Sequence, residues 1–194
     1  SLAKPAVVLS AVSQPKQWSL ATQVEDGPVQ VTLPNGTTWS PQNFDNQSRG
    51  AMPVVDVLTY SRNQGTARLG LDVGLDRVAD TMKTLGVTRN IPLYPSILLG
   101  SLELTPFEVA MMYQPLSTGG FSTRLRSITD VLDKEAKPLA RYPVNTDEVV
   151  DAGPAFLTQW AMQQVVEKGT GRAARASLPE ARKVAGKTGT SKDF

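Results

Sequence analysis

Histidine and cysteine are both missing from this 194-residue sequence, and each absence removes a class of chemistry. Without histidine there is no Ser-His-Asp triad. Without cysteine there is no thiol nucleophile and no disulfide, and lacking both the chain has no Cys/His zinc site. Proton transfer is left to Lys, Asp, Glu, Tyr, water or a terminal amine. No apolar run approaches the roughly 20 residues of a membrane-spanning helix, and no basic and apolar leader opens the chain at Ser1, so a signal or anchor is expected upstream if one exists. Charge of one sign is also scarce. Twenty basic against 18 acidic side chains leave +2, which gives no argument for a nucleic-acid partner. The lack of cysteine leaves the redox compartment open. What is present, 40% apolar and 20% charged residues, suits one domain with its own core.

Ser1 to Val12 is small and apolar almost throughout, the pattern of a buried helix that tolerates Pro5 in its first turn and stops near Gln14-Pro15. Val29 to Trp39 predicts a hairpin closed at Asn35-Gly36. Val54 to Tyr60 and Leu75 to Leu85 carry helical spacing, the second ended by Gly86. Thr105-Pro106-Phe107-Glu108 is a helix start with a capping hydroxyl, an early proline and a carboxylate three residues on. That helix is expected to run to about Ser117 and end at Gly119-Gly120. Arg126 to Leu132 and Pro138 to Tyr142 predict a second hairpin, Pro154 to Lys168 a long helix stopped by Gly169, and Arg182 to Thr190 a strand. No repeat or linker interrupts the chain, so one structural unit is the simplest parse.

Three short patterns follow one another: Ser1-x-x-Lys4, Ser61-x-Asn63 and Lys187-Thr188-Gly189. Each alone is weak, and a second S-x-x-K stands at Ser13 to Lys16, where Pro15 argues against a continuous helix. In the first copy the three-residue offset brings Lys4 to the helical face of Ser1, within reach of its hydroxyl. Serine needs a base to become nucleophilic, and in a chain without histidine a neutral lysine is the leading candidate. Burial and a nearby cation such as Lys187 would push Lys4 toward that neutral form. Ser61 can relay a proton toward a leaving amine, and Asn63 offers a donor and an acceptor for a substrate peptide bond. Lys187, with the hydroxyls of Thr188 and Thr190, suits a substrate carboxylate, while Gly189 leaves room along the strand. The backbone N–H groups of Thr190 and Ser1 are a reasonable oxyanion hole.

This ordered set resembles the active-site serine penicillin-recognising enzymes. Trp39-x-Pro41-x-Asn43, Leu99-Gly100-x-x-Glu103-x-Thr105-Pro106-x-Glu108, Gln164-Val165-Val166-x-x-Gly169-Thr170-Gly171 and Ala185-Gly186-Lys187-Thr188-Gly189-Thr190 extend the likeness to the transpeptidase module of class A penicillin-binding proteins. The resemblance implies an α/β transpeptidase-like fold, a helical subdomain with a mainly antiparallel sheet. Residues 1–194 would be a partial domain running from the S-x-x-K helix to the K-T-G strand, since such modules carry further strands at both ends. It implies a peptidoglycan D,D-transpeptidase acting on stem peptides ending in D-Ala-D-Ala and trapped by β-lactams. Ser1 would be nucleophile and Lys4 base, with Ser61 and Lys187 catalytic and Asn63, Thr188, Gly189 and Thr190 binding substrate. Arg62 fills the variable position. The same resemblance implies no metal or organic cofactor, an upstream glycosyltransferase domain, and a place on the periplasmic side of the inner membrane.

Structural readings stand beside these: Ser1 as a helix cap, Lys4 as a solvated stem, Ser61 to Asn63 as a helix-ending loop and Lys187 to Gly189 as strand and turn. Glu108 reads as a cap, Met111, Met112 and Met162 as core filling, and Gly169-Thr170-Gly171 as a helix stop. No glutamate has asparagine four residues later, unlike the E-x-x-L-N of class A β-lactamases. A D,D-carboxypeptidase, a penicillin-sensing receptor acylated without turnover, and an N-terminal nucleophile hydrolase are the competing activities.

Overall fold

The structure, a computed structural model, describes residues 1–179 and 182–189. Its centre is α1 (Lys4–Val12), every residue of which is buried. A helix apolar on all sides must be surrounded. Here it is enclosed by α2 (Val54–Thr59), α3 (Asn63–Val73), α4 (Leu75–Thr84) and, after α5 (Pro106–Ser117), by α6 (Ala152–Glu167). Val7, Val8, Leu9 and Val12 lie in the same core as Leu58, Leu69, Met82, Leu98 and Val165. Each such side chain contributes roughly 1.5–3 kcal/mol by leaving water. Lys4, also 0% exposed, is the costly exception, placed in the first turn where its stem joins the core.

The helices begin and end where local chemistry requires. Thr105 caps α5 through its hydroxyl, which accepts from the Glu108 N–H, while Glu108 reaches back to the Thr105 N–H at 2.8 Å. This is the predicted capping box, with the predicted end at Ser117. Between α2 and α3 the chain turns through Ser61, whose φ of 53° is left-handed. α3 itself has no counterpart among the sequence expectations. A short α7 (Arg172–Arg175) closes the helical part. Gly169 follows α6 and makes a close approach possible: a Cβ there would stand 2.1 Å from the Thr59 carbonyl oxygen. That contact seats the end of α6 against the end of α2.

Among the described residues the strands form four separate antiparallel pairs. β1 (Gln23–Asp26) pairs with β4 (Gly50–Pro53), with Asp26 opposite Gly50. β2 (Val31–Thr32) and β3 (Thr38–Trp39) make the hairpin expected around Asn35-Gly36. β5 (Phe121–Thr123) pairs with β8 (Thr146–Glu148), and β6 (Asp130–Leu132) with β7 (Pro138–Arg141) gives the second hairpin. The strand expected from Arg182 to Thr190 is not formed over residues 182–189. A strand exists by pairing, and among the described residues no segment lies in register beside this one. Among them, too, no helix is long and apolar enough to cross a membrane.

Candidate active site

Lys4 enters the site from the first turn of α1, where its amide donates to the Ser1 carbonyl at 3.2 Å. Its amine nitrogen lies 2.8 Å from the Ser61 carbonyl oxygen, 2.7 Å from Asn63 Oδ1 and 3.2 Å from Ser61 Oγ. The left-handed turn at Ser61 aims both of that residue's oxygens at Lys4. A non-glycine residue in this region is strained by roughly 1–3 kcal/mol, so the neighbours must impose it. Lys187 Nζ donates to the same Ser61 Oγ at 2.7 Å and to the Thr188 carbonyl at 3.0 Å. Thr188 Oγ1 in turn lies 2.8 Å from Thr170 Oγ1. The helix-stop segment after α6 thereby holds the K-T-G segment.

Withdrawal from water lowers the pKa of both amines. Burial pushes Lys4 down to about 7, with the Lys187 and Arg62 cations adding to the effect and Asp26 opposing it. Burial alone lowers Lys187 to about 8. A neutral amine has two N–H groups and one lone pair. The Ser61 carbonyl and Asn63 Oδ1 can only accept, so they take both N–H groups. The charged amine donates its third N–H to Ser61 Oγ at 3.2 Å; once neutral, it can turn its lone pair to that hydroxyl, whose oxygen also accepts from Lys187. Two lysines and one serine therefore form a proton path.

The Ser1 turn is tied down separately. Its nitrogen donates to the Leu99 carbonyl at 2.8 Å, and Tyr113 Oη donates to the Leu2 carbonyl at 2.9 Å. Burial raises the Tyr113 phenol well above its ordinary value. Gly100 is required here: its φ is +89°, and a Cβ would stand 2.8 Å from the Ser1 nitrogen. A Cβ on Gly189 would meet the Leu2 side chain at 3.6 Å, which places K-T-G against the Ser1 turn.

Several sequence expectations are altered. Among the described residues no hydrogen bond joins the Ser1 hydroxyl to the Lys4 amine, which is turned instead to Ser61 and Asn63. Of the two expected oxyanion-hole donors, the Ser1 nitrogen lies on the Leu99 carbonyl oxygen at 2.8 Å. Thr190, the other expected donor, lies outside the described residues. Asn63 is partly occupied, with Oδ1 accepting from Lys4 and Nδ2 donating to the Gln42 carbonyl at 2.7 Å. One amide hydrogen remains for a substrate.

Arg62 is not a neutral filling of a variable position. It is only 7% exposed, and its guanidinium donates to Asp26 Oδ2 at 2.8 Å, to Asp45 Oδ2 at 2.9 Å and to the Gln47 carbonyl. Asp26, fully buried, also accepts from Asn43 Nδ2 at 3.0 Å and from the Gly65 N–H at 3.1 Å. Asn43 Oδ1 receives the N–H groups of Asn63 and Gln64. The sequence flagged Asn43 through Trp39-x-Pro41-x-Asn43 but carried no signal for Asp26, whose partners lie 17 to 39 residues away.

A mixed fold of buried helices and antiparallel pairs that brings S-x-x-K, S-x-N and K-T-G to one place belongs to the penicillin-recognising class. The model of the penicillin binding protein transpeptidase domain matches residues 1–194, and the chain belongs to that family. It is 43% identical over 194 residues to penicillin-binding protein 1B of Vibrio cholerae serotype O1, covering 100% of this chain and 25% of that protein. Penicillin-binding protein 1B of Escherichia coli (strain K12) is also 43% identical, over 98% of this chain and 23% of that one. The chain thus spans about a quarter of the length of these relatives. Among solved structures, penicillin-binding protein 1A of Haemophilus influenzae superposes with a TM-score of 0.90 at 22% identity, over 97% of this chain and 33% of that one. Penicillin-binding protein A of M. tuberculosis, solved as an imipenem acyl-enzyme, gives 0.85 at 16% identity, over 100% and 48%. These likenesses show the fold.

Proposed function

We propose that this chain is the acyl-transfer part of a peptidoglycan D,D-transpeptidase, with residues 1–194 a partial transpeptidase domain of a longer class A protein. The observation that carries the reading is the convergence of Lys4 and Lys187 on the Ser61 hydroxyl. In the first step the Ser1 hydroxyl oxygen bonds to the carbonyl carbon of the penultimate D-alanine, and its proton is taken up by neutral Lys4. The bond from that carbon to the nitrogen of the terminal D-alanine then breaks. The leaving amine takes a proton through the Ser61 hydroxyl, which is replenished from the Lys4 ammonium. In the second step an amine of a neighbouring stem attacks the ester, passes its proton back along the same path, and restores the Ser1 hydroxyl.

Lys187 keeps its charge for the donor's terminal carboxylate, the Thr188 and Thr190 hydroxyls are assigned to bind the same group, and Gly189 leaves backbone exposed to the substrate. Asn63 supplies its remaining amide hydrogen to the donor peptide. A β-lactam presents a comparable carboxylate and a strained amide, and its leaving amine stays tethered, so it ends as the acyl-enzyme. The substrate is the D-Ala-D-Ala stem, an upstream glycosyltransferase domain supplies the glycan strands, and the site works on the periplasmic side of the inner membrane. Membership in a family whose relatives are penicillin-binding proteins 1B supports each of these assignments.

Mass spectrometry of the intact protein after exposure to labelled penicillin tests the site: the adduct belongs on the peptide that carries Ser1, and Ser1→Ala abolishes it. Label on Ser13 or another serine overturns the assignment. Turnover of a D-Ala-D-Ala donor with an amine acceptor separates the activities. Cross-linked product supports transpeptidation, hydrolysed donor alone indicates a carboxypeptidase, and an adduct without turnover indicates a receptor.

A further inference from the structure

The middle residue of Ser61-Arg62-Asn63 points away from the cleft while its two neighbours point into it. On the inner side Lys4 holds the Ser61 carbonyl and Asn63 Oδ1. On the outer side the Arg62 fork spans Asp26 and Asp45, both of which accept within 3 Å. The Asn63 N–H is held at 2.7 Å by Asn43, itself bound to Asp26. The tripeptide is therefore clamped from behind, and the clamp includes the residue whose φ is left-handed. Arg62 has a second consequence. Asp26 is a buried anion whose field favours a proton on Lys4, and the groups whose charge bears on Lys4 are Lys187, Arg62 and Asp26. The Arg62 cation, paired with Asp26, bears on Lys4 more strongly than that carboxylate does and so outweighs its field. Asp45, the other anion on Arg62, is shared with Arg49 at 3.3 Å.

We propose that Arg62 is a positioning residue for the acyl-transfer site: its pairing with Asp26 and Asp45 holds Ser61 and Asn63 against Lys4 and shields Lys4 from the Asp26 carboxylate. This rests on Lys4 being the base. A lysine in place of Arg62 would keep the charge without the fork, and a methionine would remove both.

The test is the rate of acylation of the intact protein by a fluorescent penicillin between pH 5.5 and 9.5. In Arg62→Met the rate at pH 7 is expected to fall roughly tenfold or more, and the midpoint of the acid limb to rise by about one pH unit, because a cation is lost and an anion is unmasked together. Asp26→Asn added to Arg62→Met is expected to bring the midpoint back. Arg62→Lys, the milder change, is expected to lower the rate several-fold with the midpoint near that of the parent. A rate loss in Arg62→Met with an unmoved midpoint, or no loss in either variant, overturns the proposal. If Arg62→Met does not fold, Arg62→Lys decides alone, and an unchanged rate there overturns it. Lys4→Met separates the two readings. If that variant keeps the acid limb, the base assignment fails and the proposal with it. If it loses the limb while Arg62→Met leaves the limb in place, the proposal alone fails.

Discussion

Lys4 and Lys187 meet on a single oxygen, the Ser61 hydroxyl, at 3.2 and 2.7 Å. Two ammonium groups that close repel, and both are withdrawn from water, so the arrangement favours one charged and one neutral amine. Lys4 is the deeper of the two and also feels the Arg62 cation, which makes it the one that gives up its proton first.

Acylation by a penicillin is expected to follow a bell in pH. It rises as Lys4 becomes neutral through about 7 and falls as Lys187 loses its charge through about 8. The two limbs belong to the coupled pair, because the lysines share one partner. Lys187→Gln is expected to remove the alkaline limb and weaken substrates that carry a carboxylate. Lys4→Met is expected to cost roughly 10²–10⁴ in rate. A Lys4→Met protein acylated as fast as its parent would contradict the role given to that amine.

Stability is expected to climb with pH across the same region. The unfolded chain holds the Lys4 proton up to roughly 10.4, whereas the folded chain releases it near 7. Between those values the unfolded state binds more protons, so unfolding becomes harder as pH rises. The cost of keeping this lysine charged in the fold is fully present below pH 7 and relieved by about 10, on the order of 5 kcal/mol. Denaturant unfolding at pH 7 and pH 9.5 measures it. The gain between the two is expected to shrink in Lys4→Met, and an equal gain in both proteins would refute the burial argument.

Gly169→Ala is expected to destabilise the protein by about 2–4 kcal/mol, since a methyl 2.1 Å from the Thr59 carbonyl oxygen must push α6 away from α2. The neighbouring Thr170 hydroxyl holds Thr188, so acylation should also fall at temperatures where the variant is still folded. Thermal unfolding and penicillin labelling of one sample check both effects.

Thr105→Ala is expected to cost about 1 kcal/mol by removing the α5 cap. Activity should be unaffected at temperatures where the fold holds. The Arg89 guanidinium and the Thr105 N–H hold the Glu108 carboxyl down to about 2. The support it gives is therefore present above its ordinary pKa and disappears as pH falls through about 2. A Thr105→Ala variant with unchanged thermal midpoint would rule out the capping account.

What could be read from sequence differs from what could not by the range of the interactions. The α5 capping box lies within four residues, and the Asn35-Gly36 hairpin closes within a few more, so residue chemistry suffices for both. S-x-x-K, S-x-N and K-T-G announced the residues that meet, because their chemistry is written in their type. Where the amine of Lys4 would turn was not legible, because it depends on the left-handed backbone of Ser61, a conformation unusual for serine. The role of Arg62 was hidden for a similar reason: its partners Asp26 and Asp45 are distant in sequence and are brought to it by the β1–β4 pair and the loop before β4. The stretch at 182–189 has strand-like residues, but pairing is decided by a neighbour and not by composition.

The most direct measurement is the titration of the lysine Nζ nitrogens by NMR in the ¹⁵N-lysine-labelled intact protein, with Lys4 assigned by the signal missing from Lys4→Met. A Lys4 resonance titrating near 7 is the result required by a neutral amine held between the Ser61 carbonyl and Asn63. A Lys4 resonance that titrates near 10, with the bulk of the lysines, would contradict it.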